Sequence, residues 1–187
     1  MKRLIHCALA LSLLMGSMAV LADEYGDTES LFRQAGASAG YFSRCYGYAV
    51  FPMIAKGGLG VGAAHGLGHV YEHGRYVGEV SMTQVSFGLQ AGGEAFRQII
   101  FFEDRRAFED FTRGDFEFGA DVSAVAITAA AGGSAGTTGV SAGASGTQQH
   151  ARTAGGYYKG MAVFTIATGG LMYQAAVAGE KFSFKQQ

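Results

Sequence analysis

Residues 57–74 read GGLGVGAAHGLGHVYEHG, and the fold turns on whether this stretch is loop or sheet. Glycine inside strands marks bulges, bends or close backbone approach, so the stretch reads as a Gly-rich strand pair or as one strongly bent strand. The whole chain shares the bias: 30 of 187 residues are glycine, about twice the usual share, and proline occurs once. Disorder is not the explanation, because 49% apolar content and fourteen phenylalanines can fill a packed core.

Upstream, 46–53 (YGYAVFPM) is a short aromatic and β-branched strand closed by Pro52. Before it, Leu31, Ala35, Ala39 and Phe42 recur at helical spacing, with Asp27 or Thr28 as the N-cap, although Gly36 and Gly40 weaken the helix. Downstream, Val85, Phe87, Leu89 and Ala91 alternate with polar or small residues, and 95–102 gives another strand. Residues 103–113 form the clearest helix, with Phe108 and Phe111 on one face and Gly114 following Arg113. Phe116 and Phe118 alternate into Asp121, and two strands over 157–168 and 171–184 close the chain. Short strands between turns, with two helices, predict a β-rich α+β fold: an antiparallel, strongly bent Gly-rich sheet or half-barrel with both helices packed on it.

The N-terminus has its own signature. Lys2 and Arg3 precede an apolar run over 4–21, and Val20, Leu21 and Ala22 stand before Asp23 and Glu24. That order is a cleavable export signal, with cleavage near Ala22 and a periplasmic or secreted product. An anchor fits less well, since His6, Cys7, Gly16 and the serines interrupt the run. The expected organisation is a leader over 1–22 and a single domain over 23–187, with a flexible Gly/Ala/Ser-rich segment at 129–150. Without Lys2 and Arg3, twelve basic residues face fifteen acidic ones, a net charge of −3. No basic run exists, which argues against nucleic acid as a partner. Cys45 alone survives cleavage, so no internal disulfide can form.

Chemistry-bearing patterns are weak. Ser38 and Ser141 each sit in a G-x-S-x-G match, but neither lies between a strand and a helix as a nucleophile elbow requires. Neither serine supports an enzyme, and no catalytic residue is assigned. His65, His69 and His73 recur every four residues on one strand face and are candidate zinc or copper ligands. Neighbours would stand about 13 Å apart unless the strand bends. The run Gly58–Gly62 lacks the Gly-Lys-Ser/Thr of a phosphate loop and the helix entry of a dinucleotide site, so no nucleotide or other cofactor is expected. Glu117 and Asp121 can share a strand face without a base or nucleophile beside them.

Taken in order, several segments resemble one family. Gly47–Pro52 followed by Lys56–Gly62, then Val85–Gly93, then Gly119–Ala124, then Tyr158–Gly160 with Ala162–Phe164 are similar to the successive motifs of the SYLF (Ysc84) domain. The likeness runs over about residues 28–184. The chain departs from the family's pattern in lacking its tryptophan and its G-P-x-G turn. The resemblance implies a non-enzymatic lipid-binding module, with phosphoinositide and actin binding attributed to eukaryotic members. An exported chain meets neither actin nor a phosphoinositide-rich leaflet. The expectation is therefore an exported domain that binds lipid headgroups, or another envelope component, peripherally. Lys56, Arg97, Lys159 and Lys181 are its candidate lipid contacts. The alternative is a small outer-membrane β-barrel or a structural envelope protein.

Overall fold

The computed structural model describes residues 24–118, 125–126 and 156–187. The expected leader over 1–22, the Ser141 motif, Asp121 and the 129–150 segment lie outside them. Helix α1 (residues 24–34) and the single turn α2 (Gly36–Ala39) lead into β1 (Gly47–Glu72) and β2 (Arg75–Phe102). Then come α3 (Arg105–Thr112), β3 (Asp115–Phe118), β4 (Val125–Ala126) and β5 (Met161–Gln186). One sheet runs β1-β2-β5-β3 with antiparallel neighbours, and β4 pairs with β5 in parallel. This is the expected β-rich α+β class, with the sheet bent and the helices against it.

The strands are far longer than the sequence suggested. β1 and β5 have 26 residues each and β2 has 28, so the readings 46–53, 85–91, 95–102, 157–168 and 171–184 are corrected to parts of three continuous strands. The anticipated breaks are bends. A straight 26-residue strand would span about 85 Å, whereas a domain of this chain's length has a radius of gyration of about 16 Å, so each strand has to fold over. Glycine bends while keeping both its donor and its acceptor in the ladder. Pro52, which lacks a donor, sits in a bulge where the pairing jumps from Phe51↔Gln98 to Ile54↔Phe96 on an edge strand.

The bends line up. Gly57 pairs with Gly93 and Gly58 with Gly92, while Glu94 and Ala95 pair with Gly170 and Gly169. These glycines form one crease across three strands. Gly60 beside it has φ +73, and the register shifts between Leu59 and Val61. Beyond the crease the two halves of β1 pack face to face at glycine distance. A Cβ on Gly68 would lie 2.7 Å from the Phe51 ring and 2.8 Å from the Val50 carbonyl oxygen. At the far end the His73 amide donates to the Tyr46 carbonyl at 3.0 Å. The β1–β2 hairpin turns on His73 and Gly74, at φ +50 and +79, the left-handed pair that a two-residue primed turn demands.

Alternation along the strands then makes two cores. Phe51, Ile54, Met82, Ile100, Phe102 and Phe182 point into the folded sheet, where Phe108 and Phe111 of α3 join them. Tyr48, Val50, Ile99, Phe101, Phe164 and Ile166 point outward and are covered by Phe32 and Tyr41 of the N-terminal helical segment. Helix α3 lies where the sequence placed it but starts at Arg105 rather than 103, with Asp104 as its N-cap accepting from the Ala107 amide at 2.8 Å, and Gly114 follows it at φ +120. The anticipated helix over 27–43 differs. It begins before Asp27 and Thr28, so neither caps it, and Thr28 Oγ1 is buried without a hydrogen bond. It breaks at Ala35 and ends at Gly40, where glycine weakens the run.

Candidate functional site

The crease carries the most distinctive surface among the described residues. Its three strand segments, 57–64, 85–93 and 167–179, contain no charged residue, and the ladder holds them side by side through Val61↔Phe87, Leu59↔Ala91, Val85↔Gly179 and Gly93↔Leu171. On the convex side Leu59 is 83% exposed, Phe87 62% and Val61 56%. On the other side of the crease the backbone closes at glycine distance, since a Cβ on Gly58 would lie 2.5 Å from the Gly62 Cα. Val85, next along β2 on the same face, is also exposed.

Away from the crease this outer face turns polar in cross-strand rows. His65, Thr83, Lys181 and Glu117 stand in register on β1, β2, β5 and β3, and the neighbouring row joins Ser81 and Ser183 to an exposed Leu67. Lys181 Nζ lies 3.9 Å from Glu117 Oε1, and Thr83 Oγ1 lies 3.4 Å from His65 Nδ1. A cleft of about 470 Å³ opens here, lined by Ser81, Thr83, Val85, Glu117, Lys181 and Ser183, with Gly179 and Glu180 beside them. Burial raises the pKa of the Glu180 carboxyl and the Lys56 charge opposes that shift.

The four cations singled out from the sequence do not converge. Lys56 faces into the folded sheet with its side chain 7% exposed, and its Nζ lies 3.6 Å from Glu94 Oε1. Arg97 is half-buried opposite Ile166, and its Nε makes no hydrogen bond. Lys159 is exposed in the turn before β5, at φ +50, with its Nζ over the Tyr158 ring. Only Lys181 lines the cleft.

The three histidines also take separate partners. His69 stacks on Tyr25 with centroids 3.5 Å apart, His73 sits in the hairpin turn against Tyr46, and His65 lies by Thr83. Burial lowers the pKa of His69, while Glu79 opposes that shift. Among the described residues no three His, Cys, Asp or Glu side chains are placed to hold a metal ion together. Ser38 is buried in α2 and its hydroxyl donates to the Phe32 carbonyl at 2.6 Å, a structural bond. Burial raises the pKa of the Cys45 thiol, which suppresses the reactive thiolate.

Sequence reading missed Leu59, Val61 and Phe87, because alternation alone gave Phe87 to a core face. The available signal was the shared absence of charge in three segments that the glycine pairing brings together.

Comparison with known proteins fits this architecture. Residues 83–187 match the sequence model of the Ysc84 family, described as Las17-binding protein actin regulator. The chain is also similar to Beta cell expansion factor A of Aeromonas veronii, at 28% identity over 162 residues, covering 81% of this chain and 51% of that protein. It thus spans about half the length of the curated relative it matches. No solved structure matches. The matched segment covers more than half of the chain and includes β5, β3, α3 and most of β2, and on that ground the chain belongs to the Ysc84 (SYLF) family, a family of binding domains.

Proposed function

We propose that the protein is an exported, non-enzymatic domain that attaches peripherally to a lipid surface through its crease. The observation that carries this reading is the convex trio Leu59, Val61 and Phe87, exposed on two neighbouring charge-free strand segments, 57–64 and 85–93. A side chain of this kind gains about 1.5–3 kcal/mol on leaving water, so three supply at most roughly 4.5–9 kcal/mol, the scale of one myristoyl anchor before association costs. Attachment is therefore reversible. It also rests on apolar insertion rather than on a basic patch, since the four candidate cations are dispersed. The polar rows of His65, Thr83, Lys181 and Glu117 on the same face argue against a membrane-spanning barrel, whose outward band has to be continuously apolar.

The test is flotation of the purified protein with phosphatidylcholine vesicles and with vesicles containing phosphatidylglycerol, at low and high salt. Binding to both, with little loss in high salt, is expected. The double change Leu59→Ser and Phe87→Ser should weaken binding about a hundredfold, and because both side chains are exposed it should leave the melting temperature unchanged. Binding confined to anionic vesicles and lost in salt would return the role to the scattered cations.

A further inference from the structure

The cleft beside the crease has a chemistry that apolar insertion does not use. Along β2 the outer face runs Ser81, Thr83, Val85, Phe87, from hydroxyls to an exposed aromatic. The row of Thr83, Lys181 and Glu117 stands four residues, about 13 Å, from Phe87. A bilayer's headgroup layer is about 5–8 Å thick on each side of its hydrocarbon. With this strand along the membrane normal and Phe87 about 5 Å inside the hydrocarbon, the row lies about 8 Å outside it, at headgroup depth.

At that depth the cleft offers Lys181 beside Glu117 and the hydroxyls of Ser81 and Thr83, while the Glu180 side chain turns to the inner face toward Lys56. One ammonium beside one carboxylate does not favour a purely anionic headgroup. It suits a ligand that carries a phosphate and a primary ammonium together. Lys181 and the two hydroxyls can donate to phosphate oxygens, and Glu117 can accept from an N–H donor, which a trimethylammonium group lacks.

We propose that the cleft lined by Ser81, Thr83, Glu117 and Lys181 binds the phosphoethanolamine group of a lipid whose chains lie along the crease. The proposal rests on the lipid-surface reading above and names the headgroup for it. The Lys181–Glu117 pair separates to take the two ends of the zwitterion, and Val85 marks the passage from headgroup to acyl chain.

The experiment compares flotation on phosphatidylcholine vesicles with flotation on vesicles in which half of that lipid is replaced by phosphatidylethanolamine, both electrically neutral. About tenfold tighter binding to the second is expected. Lys181→Gln and Glu117→Gln should each remove that preference while leaving binding to phosphatidylcholine intact. A preference that survives both changes reflects lipid packing alone and overturns the proposal, as does no preference at all. Soluble glycerophosphoethanolamine, followed by amide shifts at Thr83 and Lys181, reads the cleft without a membrane. Shifts there with no vesicle binding would keep the cleft and sink the crease, whereas vesicle binding with no shifts and no preference would do the reverse.

Discussion

Gly68→Val is expected to destabilise the domain by at least about 3 kcal/mol, a fall in melting temperature of roughly 6–12 °C for a chain of this size. The new Cβ would stand 2.7 Å from the Phe51 ring and 2.8 Å from the Val50 carbonyl oxygen. Both neighbours belong to the opposing half of the same strand. Phe51 is fully buried among Ile54, Met82 and Phe182, so its ring has nowhere to turn, and the carbonyl is fixed in the ladder. Relief requires the two halves of β1 to part, which opens the inner core. Gly57→Ala is the contrasting case. Its Cβ would meet only the Gly92 carbonyl oxygen at 3.7 Å, so thermal melting should show no loss and a gain of up to about 1 kcal/mol. Equal behaviour of the two variants would mean that the strand is not folded on itself at this distance.

Lys56→Met should be the costliest change of a charged residue, at about 3 kcal/mol near neutral pH. Its ammonium is buried between Glu94 and the charge of Glu180, and methionine keeps the length while removing the charge. The figure is the lower end for a buried pair because Glu94 is 32% exposed. The loss has a pH signature. Burial raises the pKa of Glu180 above its ordinary value, so the stability linked to its protonation is present at low pH and fades as pH rises through the folded-state value. Without Lys56 the carboxyl is raised further. Denaturant unfolding at neutral and at mildly acidic pH should therefore show the deficit shrinking in acid, as Glu180 takes up a proton. A deficit of the same size at both would place Glu180 outside the influence of Lys56.

The sheet, its bend and helix α3 were legible in the chain because each rests on local chemistry. Alternation marked the strands, Asp104 and Gly114 stood at the two ends of α3, and glycine density marked the bend. Strand length was not legible. Gly57, Gly93 and Gly169 read as stops when taken singly, and become a crease only when the ladder pairs them across strands. The same non-local pairing hid the candidate site. Lys56 looked like a surface cation because nothing within ten residues of it shows that Glu94 and Glu180 come beside it. Phe87 looked like a core residue and Leu59 and Val61 drew no assignment, since exposure belongs to the folded convex edge and to no single segment. Lys181 was found from its residue type, but its neighbours Thr83 and Ser81 come from the register of another strand.

The central claim is that the crease enters lipid and the opposite end of the sheet does not. It is tested most directly by placing single cysteines at Phe87 and at Lys185 in a background without Cys7 and Cys45. Each is labelled with an environment-sensitive fluorophore and mixed with vesicles carrying quenchers in their acyl chains. Position 87 sits on the convex crease, and Lys185 pairs with Glu79, eight residues or about 26 Å back along β2. The crease account predicts a blue shift and strong quenching at 87 with neither at 185. A label at 87 that stays in water, or equal quenching at both positions, would contradict it.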